Sequence, residues 1–469
     1  MPVMISLDQE KELNMSAFEL AAVATVLDPT SVLPSSVRVA GWVTHARFSK
    51  RVGFLALVDG SSTAGLQVVL PEALLESDPD LRTLGPGCSL EAWGARVASV
   101  GAGQCVELQA QGVQLLGKVA DPKTYPIQPK PLSDEFLRTV PHLRVRTVRQ
   151  RAMARLRHGV AQAIHTHLDD LGFLWVPTPI LTGGDAEGAG ARFEVIEEGR
   201  PSGEFFGRAS FLTVSGQMEA EAMCAGLGRV YTFGPTFRAE HSQTSRHLAE
   251  FWMVEPEMAF ADLVDVMDLA EGLLRAVLRH ALLDLEPELA LFAREGGRPL
   301  DDWRRLSEQP WSRITYTEAV ERLAHAPSGT FKSSVHWGED LQAEHERWLT
   351  QQTGSVLTVT HYPQALKAFY MKPSGAEGVV EAMDVLVPGM GELMGGSVRE
   401  SDETALRSRM LALGMDPAAY APYLDLRRYG TVPHAGFGLG LERLVAYLSS
   451  AASVREAIPF PRWYGSLSG

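Results

Sequence analysis

Residues 230–257 read VYTFGPTFRAEHSQTSRHLAEFWMVEPE, two β-type runs joined by a polar loop at about 240–246. Side chains two apart on a strand point to the same face, so Arg238 and Glu240 share one on the outgoing run. Phe251, Met253 and Glu255 share one on the return run. A cation, a carboxylate and an aromatic ring converging on one face can hold a phosphate, an amine edge and a flat base together. The competing reading is an exposed hairpin with casual ion pairs, which contribute little.

Outward from this hairpin the pattern repeats. GSVLTVTHY, VVEAMDVLVPG and HAGFGLG are further strand candidates, with amphipathic helices at 263–280 and 441–448. Few strands are followed at once by a helix, so an α+β domain with an antiparallel sheet flanked by helices is favoured over a doubly wound one. Upstream, Met153, Leu156, Val160, Ile164 and Leu168 recur at spacings of three and four, which gives a long helix one apolar stripe and predicts its end at Gly172. GFLWVPTPIL follows, and its two prolines, Pro177 and Pro179, place it at a sheet edge or a chain reversal. Six arginines between 144 and 157 come without an acidic residue, a solvated helix face or a phosphate-contacting one.

A different texture occupies 37–118. VRVAGWVTHARF, GFLALVDG, AGLQVVL, SLEAWGARVASV and CVELQAQGVQLL are short β-type segments, with PEALLES as one helical stretch between the third and fourth. Five strands so arranged fit a small Greek-key barrel of OB type, with another small β-domain as the alternative. Residues 1–36 form an acid-rich N-terminal extension, 119–142 a proline-bearing linker, and 143–469 the second domain.

The 469 residues exceed the usual size of one domain, and 45% hydrophobic with 21% charged residues is ordinary for a globular chain. No apolar run reaches the length of a membrane span, and the first residues lack a signal-peptide pattern, so a cytoplasmic location is expected. The three cysteines never fall into a CxxC spacing and suggest neither zinc nor a disulfide framework. A net charge of −14 leaves phosphate binding to local basic patches. In GFGLGLERL the glycines at 436, 438 and 440 miss the GxGxxG spacing, and VPGMGELMGGS has no Lys before its Ser. A bound nucleotide would need another scaffold.

FRAE, RHLAEF and GFGLGLERL together resemble motifs 2 and 3 of class II aminoacyl-tRNA synthetases, and GFLWVPTPIL with the helix before it resembles motif 1, the dimer-forming segment. With an OB-type domain in front, the order is similar to that of the aspartate, asparagine and lysine subgroup. The resemblance implies activation of an amino acid with ATP and Mg²⁺, transfer to tRNA, and a homodimer. Arg238 resembles the arginine that binds the α-phosphate and the amino-acid carboxylate. Glu240 would face the adenine amino group or the terminal ribose, and His247 the γ-phosphate. Phe251 and Arg443 would stack on the two faces of adenine, and Asp384 and Glu392 would hold the metal.

In the same resemblance Ser215 and Gln217 of SGQMEAE line the ammonium side of the amino-acid pocket, and Glu187 lies on a mobile loop closing over it. Arg399 resembles the side-chain-reading arginine common to the aspartate and asparagine enzymes. The aspartate enzymes carry a lysine in a QSPQxxK pattern, where this chain has Ala220 and then Glu221. Glu221 could accept a hydrogen bond from a carboxamide, directly or through water, and would repel a carboxylate. Asparagine and tRNA(Asn) are therefore the expected substrates. On the barrel, Phe54 and Gln67 resemble residues that bind the central anticodon uridine, with Arg38, Arg47, Lys50 and Arg51 placing charge nearby. The alternatives are an archaeal-type aspartyl enzyme, an inactive synthetase-like RNA-binding protein, and an asparagine synthetase on the same catalytic fold, whose known forms lack the barrel.

Overall fold

The computed structural model describes residues 20–99, 101, 104–184 and 191–467. Two compact units meet in sequence at the Ala152–Met153 bond.

The first unit is a closed barrel of β1 (Val37–Phe48), β2 (Val52–Val58), β3 (Leu66–Pro71), β4 (Ser89–Ala98) and β5 (Val106–Gly117), in the order β1-β2-β3-β5-β4. The twelve residues of β1 pair with β4 over the first half and with β2 over the second. The strand therefore bends at its middle, where a Cβ on Gly41 would lie 2.3 Å from the Val58 carbonyl oxygen. Alternation fills the interior with Val37, Val39, Leu55, Leu57, Leu66, Val68, Leu70 and Leu90. The described part of the acid-rich N-terminal extension, from Leu20 onward, packs against the barrel. Val23 and Val26, on the short helix Val23–Leu27, are fully buried in the barrel core. The backbone N–H of Val23 donates to Asp59 (2.8 Å) and that of Ala24 to Ser61 (2.9 Å), so the helix start finds acceptors on the barrel.

The second unit is built on an eight-stranded sheet. Its strands are β6 (Leu174–Trp175), β10 (Arg229–Phe237), β11 (Glu250–Ala259), β12 (Ser312–Thr315), β13 (Leu357–Pro363), β14 (Val379–Val387), β15 (Gly391–Val398) and β16 (His434–Gly440), ordered β12-β13-β14-β15-β16-β11-β10-β6. Three short strands, β7 (Leu181–Thr182), β8 (Glu194–Val195) and β9 (Ser210–Leu212), form a separate small sheet. The main sheet is mixed rather than purely antiparallel: β12 runs parallel to β13, and β10 to the two-residue edge strand β6. Its centre is antiparallel because β10–β11 and β14–β15 are each joined by a local reversal.

The sequence-predicted helix stripe buries Met153, Leu156, Val160, Ile164 and Leu168 on the helix Val148–Asp170, which stops before Gly172 at φ +79°. The arginines on this helix are tied inward: Arg155 pairs with buried Glu288 (2.5 Å) and Arg157 with buried Glu442 (2.7 Å). A second long helix, Leu263–Asp284, starts at an Asp262/Asp265 capping box and turns Val266, Leu269, Leu273, Val277 and Ala281 to the core. It packs against β14, β15 and β16, which leaves the other face of those strands for a site. No described helix is long and apolar enough to cross a membrane.

Candidate active site

A cavity of about 330 Å³ opens over β11, β14, β15 and β16. Strand alternation turns Phe251, Met253 and Glu255 of β11 into it. The hairpin ladder continues one residue beyond β10, where Arg238 N–H donates to Ala249 carbonyl at 3.0 Å. That bond fixes the Arg238 backbone, and its guanidinium lies 5.3 Å from the Phe251 ring centroid. Glu240 and His247 bracket the loop, their side chains 3.5 Å apart, and the other ring nitrogen of His247 meets the Ser242 and Thr244 hydroxyls. The helix Leu441–Ser449 follows β16 directly and brings Arg443 to the cavity, 3.6 Å from Glu392.

The two expected metal-binding carboxylates converge. A Cβ on Gly395 would sit 3.4 Å from an Asp384 oxygen and 3.5 Å from a Glu392 oxygen, so both acids reach the same glycine. Lys367 Nζ donates to both Asp384 oxygens at 2.6 and 2.8 Å. Glu346, from the helix Ala343–Thr353, accepts from the Glu392 backbone N–H at 3.2 Å. Burial, and then the neighbouring Glu392 charge, push the Glu346 carboxyl up to about 7. Burial also pushes Asp384 up, opposed by Lys367 and reinforced by Glu392. Among the described residues no three His, Cys, Asp or Glu side chains close around one point. Two carboxylates on an open floor fit a cation that keeps waters and completes its shell from a polyphosphate.

At the other end of the cavity, Ser215 Oγ and the Gly216 N–H (2.9 Å) donate to the Glu255 carboxylate, and Gln217 lies beside them. Glu221 and Arg399, expected to touch the amino-acid side chain, do not line the cavity. Both are buried behind it. Glu221 is filled by its own neighbours: Gln217 Nε2 (2.9 Å), Tyr423 Oη (2.8 and 2.9 Å), Arg427 Nη2 (2.7 Å) and His434 Nε2 (3.0 Å). A carboxylate offers about four lone-pair sites, and in this structure these neighbours crowd them. Arg399 is forked onto Glu257 and donates to Ser397 at 2.9 Å. Burial alone would raise the Glu221 carboxyl, but Arg427, His434 and Arg399 hold it well below the ordinary range. Glu257 moves the other way, up, from burial with the Glu221 charge adding to it. Glu187 lies outside the described residues.

A family model described as tRNA synthetases class II (D, K and N) matches residues 133–464. The chain belongs to this family. Among relatives of this class II synthetase, an asparagine–tRNA ligase of Xanthomonas campestris pv. campestris is 48% identical over 444 residues, 92% of this chain and 95% of the relative. One from Myxococcus xanthus is 47% identical over 447 residues, with 92% and 96% covered. The solved asparaginyl-tRNA synthetase of Pyrococcus horikoshii complexed with asparaginyl-adenylate superposes with a TM-score of 0.84 at 35% identity, covering 92% of this chain and 96% of that one. The Entamoeba histolytica asparaginyl-tRNA synthetase in complex with asparaginyl-adenylate gives 0.82 at 26% identity, covering 94% and 98%.

The synthetase cavity also holds residues that sequence reasoning passed over. Lys367 comes from a segment with no chemical signature, and Arg246, the first residue of RHLAEF, was given no role; Glu346, equally unsignalled, lies beside the cavity against Arg246 and the Glu392 backbone. Tyr423 and Arg427 were equally silent, although their spacing of four on the helix Ala421–Arg428 is the one signal that pairs them on one face. In the barrel unit, Phe54 and Gln67 lie on the outer face of β2 and β3, where Gln67 pairs with Ala56, the next residue on Phe54's face. The Arg47 guanidinium is 5.2 Å from the Phe54 ring centroid, and Gln67 Nε2 donates to Glu107 at 2.9 Å. Arg38 is paired with Glu91, and Arg51 lies 3.9 Å from Glu72.

Proposed function

We propose that the chain is an asparagine–tRNA ligase: it activates L-asparagine with ATP, releases pyrophosphate, and transfers the asparaginyl group to the 3′-end of tRNA(Asn). The observation that carries this reading is the cavity, where two guanidiniums, a phenyl ring and two converging carboxylates share one face of the sheet in a chain 48% identical to ligases of that name. The cytoplasm, where tRNA is charged, is the compartment that fits this work.

In the first step a carboxylate oxygen of asparagine bonds to the α-phosphorus of ATP as the bond to the bridging oxygen breaks, giving asparaginyl-adenylate and pyrophosphate. The carboxylate is already a nucleophile, so the protein supplies no base and acts by positioning and charge. Arg238, pinned through its backbone, would offset the charge that accumulates on the pentacovalent phosphorus without reorganising. Phe251 and Arg443 would hold adenine between a ring and a guanidinium plane. Glu240 would accept from the adenine amino group or meet the terminal ribose, and His247 would approach the γ-phosphate. Asp384 and Glu392 would hold Mg²⁺, which neutralises polyphosphate charge when bound. Ser215 and Gln217 would receive the amino-acid end. In the second step the 3′-hydroxyl of the terminal adenosine adds to the activated carbonyl and AMP leaves.

ATP–pyrophosphate exchange measured side by side with asparagine and aspartate tests the reading. Asparagine supports exchange and aspartate does so at least about 10²-fold less efficiently; equal use of both amino acids would replace the proposal with an aspartyl enzyme.

Phe54 and Gln67 would take the central anticodon uridine by stacking and hydrogen bonding. Stacking on an aromatic ring contributes about 1–3 kcal/mol per base, so Phe54→Ala raises the KM for tRNA roughly ten-fold in aminoacylation. An unchanged KM would remove Phe54 from the interface. We also propose a homodimer contact through the segment 172–181: Leu174, Trp175, Ile180 and Leu181 are exposed around the β6 edge, beside an apolar hollow of about 780 Å³. Sedimentation then gives twice the 51.1 kDa chain mass, and Trp175→Glu shifts it toward the monomer.

A further inference from the structure

We infer that Tyr423 and Arg427 are positioning residues for the amino-acid pocket: they hold Glu221, Glu221 holds the Gln217 amide, and Gln217 thereby meets the substrate with its carbonyl oxygen. The inference rests on the asparagine-ligase reading and names how its pocket is set.

Two helices face each other with matched pairs at a spacing of four. Gln217 and Glu221 lie on Gln217–Leu227, and Tyr423 and Arg427 on Ala421–Arg428. Arg427 stacks on the Tyr423 ring at 4.1 Å and donates both to the Tyr423 hydroxyl (2.9 Å) and to Glu221 (2.7 Å). Its Nε donates to the Glu400 carbonyl at 2.9 Å, which anchors the guanidinium independently of Glu221. The hydroxyl of Tyr423 lies 2.8 and 2.9 Å from the two Glu221 oxygens and donates its one proton to either of them. Glu221 and Arg427 are almost wholly buried, and the arrangement has two acids, Glu221 and Glu257, against two guanidiniums, Arg399 and Arg427.

The amide of Gln217 follows from this. An ionised carboxylate only accepts hydrogen bonds, so the Gln217 atom 2.9 Å from it must be the NH₂ group. Of the two ends of the Gln217 amide, the oxygen is then the one free to turn toward the cavity that the residue lines. An acceptor there favours an N–H donor, an ammonium or a carboxamide NH₂, over a carboxylate. A purely structural role for the same residues would show as lower stability or a smaller active fraction. It would leave the KM for each substrate alone.

Tyr423→Phe separates the two, because it keeps the ring and its stacking and removes only the hydroxyl. In ATP–pyrophosphate exchange the variant raises the KM for asparagine roughly ten-fold and changes that for ATP by less than about two-fold. In a Gln217→Ala background, with its own raised KM, Tyr423→Phe adds nothing further, since both changes act through one amide. An unchanged asparagine KM overturns the inference, as does the same ten-fold rise in both backgrounds. Wild-type exchange comes first. If aspartate rather than asparagine supports it, the ligase reading fails and the Tyr423 cycle is run on aspartate, where the same criteria decide the positioning role.

Discussion

Arg238→Ala lowers asparagine-dependent ATP–pyrophosphate exchange by at least about 10²-fold, close to 2.7 kcal/mol of transition-state stabilisation. The size follows from what the residue would do and from how it is held. As the carboxylate attacks, negative charge accumulates on oxygens around phosphorus, inside a cavity walled by Phe251, Met253 and the glycines of β15 and β16. A charge that is already in place there costs nothing to reorient at the moment of reaction. The Arg238 backbone sits in the hairpin ladder and its guanidinium rests near the Phe251 ring, so it is oriented before substrate arrives. Loss of an interaction made chiefly in the transition state lowers kcat more than it raises KM. Arg238→Lys keeps the charge and loses the planar fork, and recovers only part of the rate. Near-normal exchange by the alanine variant, with the fold intact by circular dichroism, would take Arg238 out of the active site.

How much of this site was legible depended on whether its residues share a local period. Phe251, Met253 and Glu255 could be placed on one face from the sequence because a strand has a fixed period of two, and all three line the cavity. The barrel was legible for the same reason, through alternation in five short runs. The glycine-rich stretch GELMGGSV was weighed as a nucleotide loop and as the carrier of Glu392, but not as a strand, and it is β15 in the middle of the sheet. Its glycines carry little strand propensity, and Gly396 is there for close approach: a Cβ on it would meet the carbonyl of Gly436, on neighbouring β16, at 2.7 Å. The helix around Val23 was illegible because five residues are too few to show a helical period. Residues joined by tertiary structure alone left no trace. Glu346 is 38 positions before Asp384 by numbering, and Arg427 is 206 positions after the Glu221 it holds.

The placement of Glu221 changes what its substitution should do. A residue that touched substrate directly would, on becoming glutamine, lose one hydrogen bond at the surface of the pocket. Glu221 instead sits between Arg427, Tyr423, His434 and Gln217, and Glu221→Gln removes the charge that holds all four. Breaking a buried ion pair by removing one partner costs about 3–5 kcal/mol, so the melting temperature falls by several degrees. The loss has a pH signature. The Glu221 carboxyl lies below its ordinary 4.5 in the folded chain, so its stabilisation is complete above that value and fades as pH falls toward the folded pKa. The variant lacks this component, and its stability therefore falls less steeply with acid than that of the wild type. The second effect is on choice of amino acid. A glutamine at 221 can donate as well as accept, which lets the Gln217 amide turn its NH₂ toward the cavity, while Arg427 and Arg399 remain with one acid fewer. A donor and a surplus positive charge both favour aspartate. Since asparagine and aspartate are nearly isosteric, hydrogen bonding and charge must carry the discrimination. The ratio of kcat/KM for asparagine over aspartate then drops by at least about ten-fold, or 1.4 kcal/mol. Exchange assays with both amino acids on a folded Glu221→Gln variant read that ratio, and an unchanged preference would mean that Gln217 keeps its orientation without Glu221's charge.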